Sequence, residues 1–278
     1  MSRDNRKNMI EVFLNQRRLD ARKMERQIPV SELEYLAGKR QHRGLASRMK
    51  YSERPCIIAE MKKASPSAGL LSEDYNPEKI ARAYEASGAV AVSVLTEPRH
   101  FLGDVEHVRR VRKAVRLPIL RKDFICDSYL VYESAACGAD IILLIVKALD
   151  PALLTDLYHL AISLGLEVLI ESHSIRELEI ALGHRDALLG INNRNLETLE
   201  TDLGVGAELA GHIPQGRLAV VESGIKTRAE IDRFWELGYK GFLIGEVLMR
   251  NKRTDFLLDE LTGTKPQERT KGYKMRRP

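Results

Sequence analysis

The chain has 278 residues, of which 44% are hydrophobic and 30% charged, and its formal net charge is +5. This composition excludes collagen-like, mucin-like and wholly disordered proteins, and no apolar run is long enough to cross a membrane as a helix. The charged amino terminus argues against a secretory signal and the sparse cysteines (Cys56, Cys126 and Cys137) fit a reducing compartment, so we expect a cytoplasmic protein.

Positive charge is concentrated at the two ends of the chain. Residues 1–50 carry a net charge of +7 and residues 265–278 a net charge of +5, which leaves −7 for residues 51–264. Basic ends can bind nucleic acid, but solvated helices and frayed tails have the same composition. We therefore predict a helical extension (1–50), one catalytic domain (51–264) and a flexible basic tail (265–278), with neither nucleic acid nor a membrane as partner.

The first predicted elements are two helices. Residues 7–26 carry one apolar stripe among Arg and Lys residues, which predicts an amphipathic helix. The stripe consists of Ile10, Phe13 and Leu14. After Pro29, the spacing of Ser31 and Glu34 is that of a capping box and predicts a second, short helix. Because both helices precede the first strand, we expect them to pack on the outside or the bottom of the catalytic domain.

From residue 56 onward, short apolar runs alternate with amphipathic helical segments. There are eight such runs, at 56–60, 90–96, 117–124, 140–146, 166–172, 187–192, 218–223 and 241–245. This alternation predicts a parallel sheet, and eight units in about 200 residues favour a closed barrel. An open doubly wound sheet would place a G-x-G-x-x-G turn after its first strand, where none is present. The expected fold class is thus α/β, a single (β/α)8 TIM barrel with an N-terminal helical extension.

A further feature of this pattern concerns the helices. Glycines fall where several of them would end, at Gly88, Gly138, Gly165 and Gly238. A glycine just past the last helical residue is typical of a helix C-cap. These positions therefore predict where the chain turns back toward the next strand.

Polar residues end most of the apolar runs, and the carboxyl ends of the strands carry the active site in such barrels. Residues two apart on a strand point the same way, so they face one cavity together. The pairs are Glu60 with Lys62, Lys122 with Phe124, and Asn192 with Arg194, while Glu171, Glu222 and Ser223 end other runs. Lysines held close together lower each other's pKa, which favours proton donation near neutrality. One such residue alone is more often structural, but their clustering indicates catalysis.

The last two runs indicate a phosphate site. Gly224 follows Ser223 and permits close approach of the backbone, while Gly245 and Glu246 open a helical stretch whose amides favour an anion. The loops after strands 7 and 8 commonly bind phosphate in these barrels. Because the Glu246 carboxylate is itself anionic, we expect its side chain to point away from the bound group.

Several stretches together resemble the indole-3-glycerol phosphate synthase family. They are AEMKKASPSAG (59–69), SVLTE…F (93–101), LRKDFI (120–125), ADIILLIV (139–146), VLIE (168–171), GINNRNL (190–196), VESGI (221–225) and LIGEVLM (243–249). The resemblance runs in order over residues 8–260. It implies a carboxy-lyase of tryptophan biosynthesis that converts 1-(2-carboxyphenylamino)-1-deoxyribulose 5-phosphate into indole-3-glycerol phosphate, CO₂ and water, with no metal or organic cofactor.

The resemblance also implies catalytic roles. Lys122 is the first choice for the general acid of ring closure, and Lys62 either holds the substrate carboxylate or serves as acid in the dehydration. Glu171 and Glu60 are the candidate bases, and Glu171 is preferred for the final proton. Asn192 is expected to hydrogen-bond near the departing hydroxyl and to orient Glu171 or Lys122.

Binding roles are implied in the same way. Arg194 matches recognition of the anthranilate carboxylate by a planar bidentate donor, and Glu222 and Ser223 line the site. The apolar slot for the anthranilate ring comprises Phe101, Phe124, Leu143 and Ile145, of which the last two fit plain barrel core equally well. Phosphate is assigned to Ser65, Gly224, Gly245 and the amide of Glu246.

Two alternatives make different predictions. Another phosphate-binding barrel, such as phosphoribosylanthranilate isomerase, would carry a cysteine base at the end of the first strand, whereas Cys56 begins that strand. A non-catalytic basic nucleic-acid-binding protein would bind in a salt-sensitive manner and tolerate loss of Lys122. We favour a monofunctional synthase that acts on a small phosphorylated substrate as a monomer or weak homo-oligomer.

Overall fold

A computed structural model describes residues 3–251 and 253–263, and its centre is a closed barrel of eight strands. The strands are β1 (Cys56–Met61), β2 (Ala91–Leu95), β3 (Ile119–Lys122), β4 (Ile141–Ile145), β5 (Glu167–Ser172), β6 (Leu188–Asn192), β7 (Ala219–Glu222) and β8 (Gly241–Ile244). Each strand pairs in parallel with the next one along the chain, and β8 pairs with β1. The predicted (β/α)8 barrel is thus confirmed, and the open sheet is excluded.

Helices surround the barrel and precede it. Those of the described ranges are α1 (Arg3–Glu25), α2 (Val30–Ala37), α3 (Leu45–Lys50), α4 (Pro77–Ala86), α5 (Val105–Ala114), α6 (Ser128–Cys137), α7 (Pro151–Ser163), α8 (Ile175–Leu182), α9 (Leu203–Ala210), α10 (Arg228–Glu236), α11 (Glu246–Arg250) and α12 (Thr254–Thr262). A 3₁₀ turn, Val146–Ala148, follows β4, and a short antiparallel hairpin joins residues 64–65 to 69–70 after β1. None of the helices within the described ranges has the length and hydropathy of a membrane span.

Local sequence fixes both ends of many barrel helices. Side-chain oxygens accept a backbone N–H of the first turn at Asn76, Asp104, Asp127, Asp150, Ser174, Asp202 and Thr227. Such N-caps satisfy amide groups that the helix itself leaves free. The four predicted C-cap glycines all have a positive φ, for example 93° at Gly138, which confirms them as the points where the chain leaves a helix.

The second helix begins differently from the prediction. Helix α2 starts at Val30 with Pro29 as its N-cap residue, and within the described chain no side chain caps it. The capping box expected at Ser31 and Glu34 is therefore wrong. Pro29 is extended, with φ −69° and ψ 154°, and it has no N–H to satisfy, so the helix begins directly after it and Ser31 falls inside the first turn.

Helix α1 lies across the mouth of the barrel. Ile10 and Phe13, from its predicted apolar stripe, line the central cavity at the carboxyl ends of the strands. Nη2 of Arg17 donates to Oδ2 of Asp123, directly after β3, at 2.8 Å, and Arg99 pairs with Asp20 at 2.6 Å. The expectation that both first helices lie outside or at the bottom is therefore wrong for α1, because an amphipathic pattern shows which face is buried but not what covers it.

The interior of the barrel is apolar below the cavity. Leu45 and Met49 of α3 pack into it beside Cys56, at the amino end of β1. The side chains that fill the interior include Ile58, Leu120, Ile141, Leu143, Leu169 and Val220. Since α3 closes this end, solvent reaches the interior from the opposite end, where the strands carry polar side chains.

A buried ionic network fixes the end of β3. Nη2 of the fully buried Arg121 lies 2.7 Å from Oε2 of Glu133 and 3.2 Å from Oδ2 of Asp123. Burial raises the pKa of Asp123, but Arg17 and Arg121 lower it by more, so this carboxyl stays ionised. The network holds the residues on either side of Lys122.

Replacing Arg121 by leucine should destabilise the fold strongly. The change leaves Glu133 buried without its cation, and breaking a buried pair in this way costs roughly 3–5 kcal/mol of unfolding free energy. Urea denaturation at pH 7 measures the loss. The matched control is Arg109→Leu, which removes an exposed pair with Glu106 on α5 and should cost about 1 kcal/mol or less. Equal losses in the two variants would contradict a stabilising role for the network.

Candidate active site

A cavity of about 820 Å³ opens at the carboxyl ends of the strands. All the residues predicted for the site line it, namely Glu60, Lys62, Ser65, Phe101, Lys122, Phe124, Leu143, Ile145, Glu171, Asn192, Arg194, Glu222, Ser223, Gly224, Gly245 and Glu246. The structure thus brings these residues together, and their individual roles stay predictions. Cys56 lies at the opposite end of β1, within the apolar interior, so it does not occupy the position that the isomerase alternative requires.

Four charged residues of the cavity come from alternate strands. Glu60 lies on β1, Lys122 on β3, Glu171 on β5 and Glu222 on β7. Side chains from alternate strands of such a barrel form one layer of four across its interior. We call these four residues the charged layer. It caps the apolar interior and forms the floor of the cavity.

Lys122 is the centre of the charged layer. Its Nζ donates a hydrogen bond to Oε2 of Glu171 at 3.1 Å and lies 3.1 Å from Oε2 of Glu222. Both carboxylates are almost fully buried, with 1% of each side chain exposed. A single ammonium therefore holds two carboxylates that come from two other strands of the barrel.

A second pair lies beside the first. Nζ of Lys62 donates to Oε1 of Glu60 at 2.6 Å, as expected for residues two apart that share a face. Burial raises the pKa of Glu60, but Lys62 and Lys122 lower it by more, and the net shift is downward. Both lysines thus act on one carboxylate from within the same cavity.

The prediction that close lysines lower each other's pKa is wrong for Lys122. Burial lowers the pKa of Lys122, but Glu171, Glu222 and Glu60 together raise it far above its ordinary value. A buried ammonium among three carboxylates is stabilised in its charged form. Lys122 is accordingly a firmly protonated ammonium at neutral pH.

The two carboxylates on Lys122 differ in their affinity for protons. Burial raises the pKa of Glu171, yet Lys122, His173 and Asn192 lower it by more, so that it falls well below its usual range. Burial also raises the pKa of Glu222, Lys122 only partly offsets this, and the result is about 7. Because His173 and Asn192 add to the effect of Lys122 at Glu171, Glu171 is a firm anion, whereas Glu222 exchanges a proton near neutrality.

Glycines make room for the charged layer. A Cβ on Gly190 of β6 would lie 2.5 Å from Oε1 of Glu222, and a Cβ on Gly245, after β8, would overlap Glu60. Any side chain at either position would displace a carboxylate of the layer. The glycine in GINNR therefore has a packing role that the sequence did not reveal, and Gly245 serves packing as well as any contact with phosphate.

The backbone after β7 has an unusual conformation beside the predicted phosphate site. Ser223 has φ +62° and Gly224 φ +86°, and the serine is a non-glycine residue in a costly region. The Ser223 carbonyl accepts a hydrogen bond from Nδ2 of Asn193 at 3.0 Å, which holds this turn. A Cβ on Gly224 would lie 2.8 Å from both Leu203 and Thr201, so glycine is required there.

Arg194 lies at the rim of the cavity. Its backbone N–H donates to Oδ1 of Asn192 at 2.9 Å, and Nη1 donates to the Leu199 carbonyl at 3.0 Å. Nη2 is 3.9 Å from the Glu246 carboxylate, whose other oxygen accepts from Nε of Arg250 at 3.1 Å. The Glu246 carboxylate thus turns toward the neighbouring cations, and Arg194 keeps donors available to the cavity.

The apolar wall of the cavity combines barrel and extension. Phe124 packs against Phe13 of α1, with ring centroids 5.0 Å apart, and Leu143 and Ile145 belong to the barrel interior and line the cavity as well. Phe101 is positioned by the carboxylate of Glu97, which accepts from the backbone N–H of residues 99, 100 and 101. The wall therefore depends on a buried carboxylate outside the cavity floor.

Some residues of this site were not expected from sequence. Ile10 and Phe13 were predicted to be buried, but nothing in the stripe indicated the cavity. His173 was also missed, although it lies two residues after Glu171 and so projects to the same side of the chain. That spacing is the pattern that could have identified it.

Comparisons with solved structures agree with the barrel. The chain resembles the tryptophan synthase alpha subunit from Legionella pneumophila with a TM-score of 0.56 and 15% identity, over 78% of this chain and 95% of that chain. A thiamine phosphate pyrophosphorylase from Pyrococcus furiosus gives a TM-score of 0.56 at 15% identity, over 77% of this chain and 95% of that chain. At such identities the likeness establishes the fold alone.

Sequence comparisons are more specific. The family model for indole-3-glycerol phosphate synthase matches residues 10–261. An indole-3-glycerol phosphate synthase from a Polaromonas species is 47% identical over 210 residues, which cover 76% of this chain and 80% of that protein. The synthase from Burkholderia multivorans is 46% identical over 228 residues, which cover 81% and 87%. The chain therefore belongs to the indole-3-glycerol phosphate synthase family.

Proposed function

We propose that the charged layer supplies the acid and the base of the family reaction. That reaction converts 1-(2-carboxyphenylamino)-1-deoxyribulose 5-phosphate into indole-3-glycerol phosphate, CO₂ and water, and so makes the enzyme a carbon–carbon lyase of tryptophan biosynthesis. One observation carries the assignment of roles: the Lys122 ammonium contacts two buried carboxylates of different proton affinity. Groups whose pKa values are pushed apart are suited to opposite halves of acid–base catalysis.

Ring closure requires an acid at the ketone oxygen. The aromatic carbon that bears the carboxylate attacks the ketone, whose oxygen gains negative charge as the new carbon–carbon bond forms. Lys122 donates its proton there, because a developing alkoxide is a stronger base than the amine. Glu222 contacts Lys122 and binds a proton near pH 7, so it can return one to the amine.

Decarboxylation and dehydration complete the reaction. Loss of CO₂ restores the aromatic ring, and loss of water then forms the carbon–carbon double bond of the new five-membered ring. Lys62, paired with Glu60, either holds the departing carboxylate or protonates the leaving hydroxyl. Glu171 takes the last proton, since it is ionised at neutral pH, and Asn192 helps to hold it in that state.

The substrate is held by groups at the rim and the wall. Arg194 binds the anthranilate carboxylate through its guanidinium fork, and the anthranilate ring lies against Phe101, Phe124, Leu143 and Ile145. The phosphate binds near Ser65, Gly224, Gly245 and the amide of Glu246. Ser65 Oγ accepts from the Ala68 N–H at 3.2 Å, which leaves its hydroxyl hydrogen available for a phosphate oxygen.

The partner, the location and the oligomeric state of the enzyme belong to the same proposal. Its partner is a small phosphorylated substrate, with no nucleic acid or membrane involved, and it acts in the cytoplasm as a monomer or weak homo-oligomer. A doubly anionic sugar phosphate does not cross a lipid bilayer unaided, which supports a location where the substrate is made. The predicted basic tail, 265–278, lies outside the described residues.

Replacing Lys122 by alanine should abolish turnover, with kcat lowered by about 10² or more because the ring-closing acid is lost. Indole-type fluorescence appearing on addition of the substrate, without added metal, measures the rate. Lys122→Met keeps the bulk of the side chain without its charge and should fail equally. Lys113→Ala, on the exposed face of α5, should match the wild type. A folded Lys122→Ala enzyme with unchanged turnover would remove the central assignment.

Replacing Arg194 by lysine should mainly weaken substrate binding. A bidentate contact with the carboxylate becomes a single one, so we expect KM to rise roughly 10-fold with little change in kcat. Steady-state kinetics measure both constants, and inorganic phosphate serves as a competing ligand. If KM is unchanged and only inhibition by phosphate weakens, Arg194 contacts the phosphate instead.

Replacing Glu222 by glutamine should stabilise the protein more at pH 8 than at pH 5. The pKa of Glu222 is raised from 4.5 to about 7 by folding, so the folded state favours its neutral form, and the wild type loses stability as pH rises through that interval. Glutamine stays neutral throughout. Urea denaturation at both pH values measures the difference in unfolding free energy between variant and wild type. The control is Glu236→Gln, at an exposed position of α10. A difference that does not grow with pH would contradict the shift.

A further inference from the structure

His173 lies directly behind the proposed base. Its Nε2 is 3.3 Å from Oε1 of Glu171, and its Nδ1 is 3.1 Å from Oε2 of Glu177. Only 10% of its side chain is exposed. Glu171 and Asn192 line the cavity, whereas His173 is not among the described residues that line it. The imidazole ring therefore contacts Glu171 from the side away from the cavity.

The Glu177 carboxylate, which contacts His173, is fixed by contacts at the start of α8. Glu177 lies in the first turn of α8, and its Oε2 also accepts the backbone N–H of His173 at 2.8 Å. Ser174 caps the same helix and accepts the backbone N–H of Glu177 at 3.3 Å. The start of α8 therefore fixes the position of the imidazole ring.

Glu171 is consequently held from two sides. Lys122 donates to its Oε2, and the His173 ring faces its Oε1. Within the described chain no acceptor is well aligned with the His173 Nε2–H, so this contact is an ion pair. His173 thus contacts Oε1 of Glu171, whereas Lys122 donates to Oε2.

The charges around His173 favour its protonated form. Burial lowers the pKa of His173, but the neighbouring carboxylates of Glu171 and Glu177 raise it to about 9. The other charged groups nearby are Lys122, beyond Glu171, and Lys147, which acts on Glu177 from the 3₁₀ turn. His173 is thus a second cation on Glu171 at neutral pH.

We propose that His173 is a positioning residue for the last proton transfer: held by Glu177, its imidazolium keeps the Glu171 carboxylate ionised and fixed in orientation. The inference rests on the proposed function, because it takes Glu171 as the base. In that step Glu171 gains a proton from the substrate, the electron pair of the broken bond enters the new double bond, and the hydroxyl leaves with an acid's proton as water.

The need for a second cation comes from the order of steps. Lys122 gives up its proton in ring closure, and until Glu222 returns one the neutral amine no longer stabilises the Glu171 anion. His173 does not face the substrate and keeps its charge. Glu171 therefore stays a carboxylate between ring closure and dehydration, when it must accept a proton.

The test compares His173→Leu, which removes the contact, with His173→Gln, which can still donate a hydrogen bond but does not titrate. We expect kcat to fall roughly 10-fold in His173→Leu and less in His173→Gln, with KM changed by no more than about 2-fold. In the wild type, kcat should fall as pH rises through about 9. That alkaline limb should be absent from the His173→Gln profile.

Two further variants separate positioning from general packing. Glu177→Gln should lower kcat in the same way, and combining it with His173→Leu should add nothing, because both act through one contact. His184 is the matched control, a buried histidine at the far end of α8 that contacts Thr155 and the Ile180 carbonyl. His184→Leu should leave kcat and its pH profile unchanged.

The outcomes are distinguishable. Unchanged kcat and an unchanged alkaline limb in His173→Gln would overturn the inference, as would a rise in KM alone. If His173→Leu does not fold, His173→Gln and Glu177→Gln decide. Glu171→Gln is measured alongside: if it keeps full turnover, the proposed base is wrong, whereas if it is inactive while the His173 variants behave as wild type, only the positioning role fails.

Discussion

The contact of one ammonium with two buried carboxylates is the interaction on which the charged layer depends. Removing charges from water is costly unless they are paired, and Lys122 pairs with both Glu171 and Glu222. Lys122 lies 3.1 Å from each carboxylate, but Glu171 is stabilised by His173 and Asn192 as well. Glu171 is therefore a firm anion, whereas Glu222 binds a proton near neutrality.

The fold makes that contact possible through its symmetry. Strands β1, β3, β5 and β7 each place one charged side chain at the same height, where a barrel of this type would otherwise continue its packed interior. The intervening strands contribute glycine at two places, Gly190 and Gly245, whose missing side chains leave the space that the carboxylates fill. Below this layer the interior is apolar, and Leu45 and Met49 of α3 pack into its lower end.

The fold and many of the residues that line the cavity could be predicted from sequence, whereas the pKa of Lys122, the position of α1 and the contacts of His173 could not. Eight apolar runs indicate strands that are buried on both faces, as in a parallel sheet covered by helices. The polar residues that end these runs indicate the site, because the carboxyl ends of the strands meet at one end of the barrel. The pKa of Lys122 was mispredicted because it depends on three carboxylates distant in sequence. The position of α1 was missed because an apolar stripe does not show what it packs against. His173 was missed because one of its two contacts is with Glu177, on the next helix.

The division between floor and rim explains how an anionic substrate can bind above three carboxylates. Three cations lie against the carboxylates of the floor: Lys122 within the charged layer, Lys62 beside it and His173 behind it, so the opposing charges nearly cancel. In the proposed binding mode, Arg194 attracts the substrate carboxylate to the rim, where it keeps guanidinium donors. A change at Arg194 would then alter affinity without altering the proton affinities of Glu171 and Glu222, because Arg194 makes none of the contacts of Lys122.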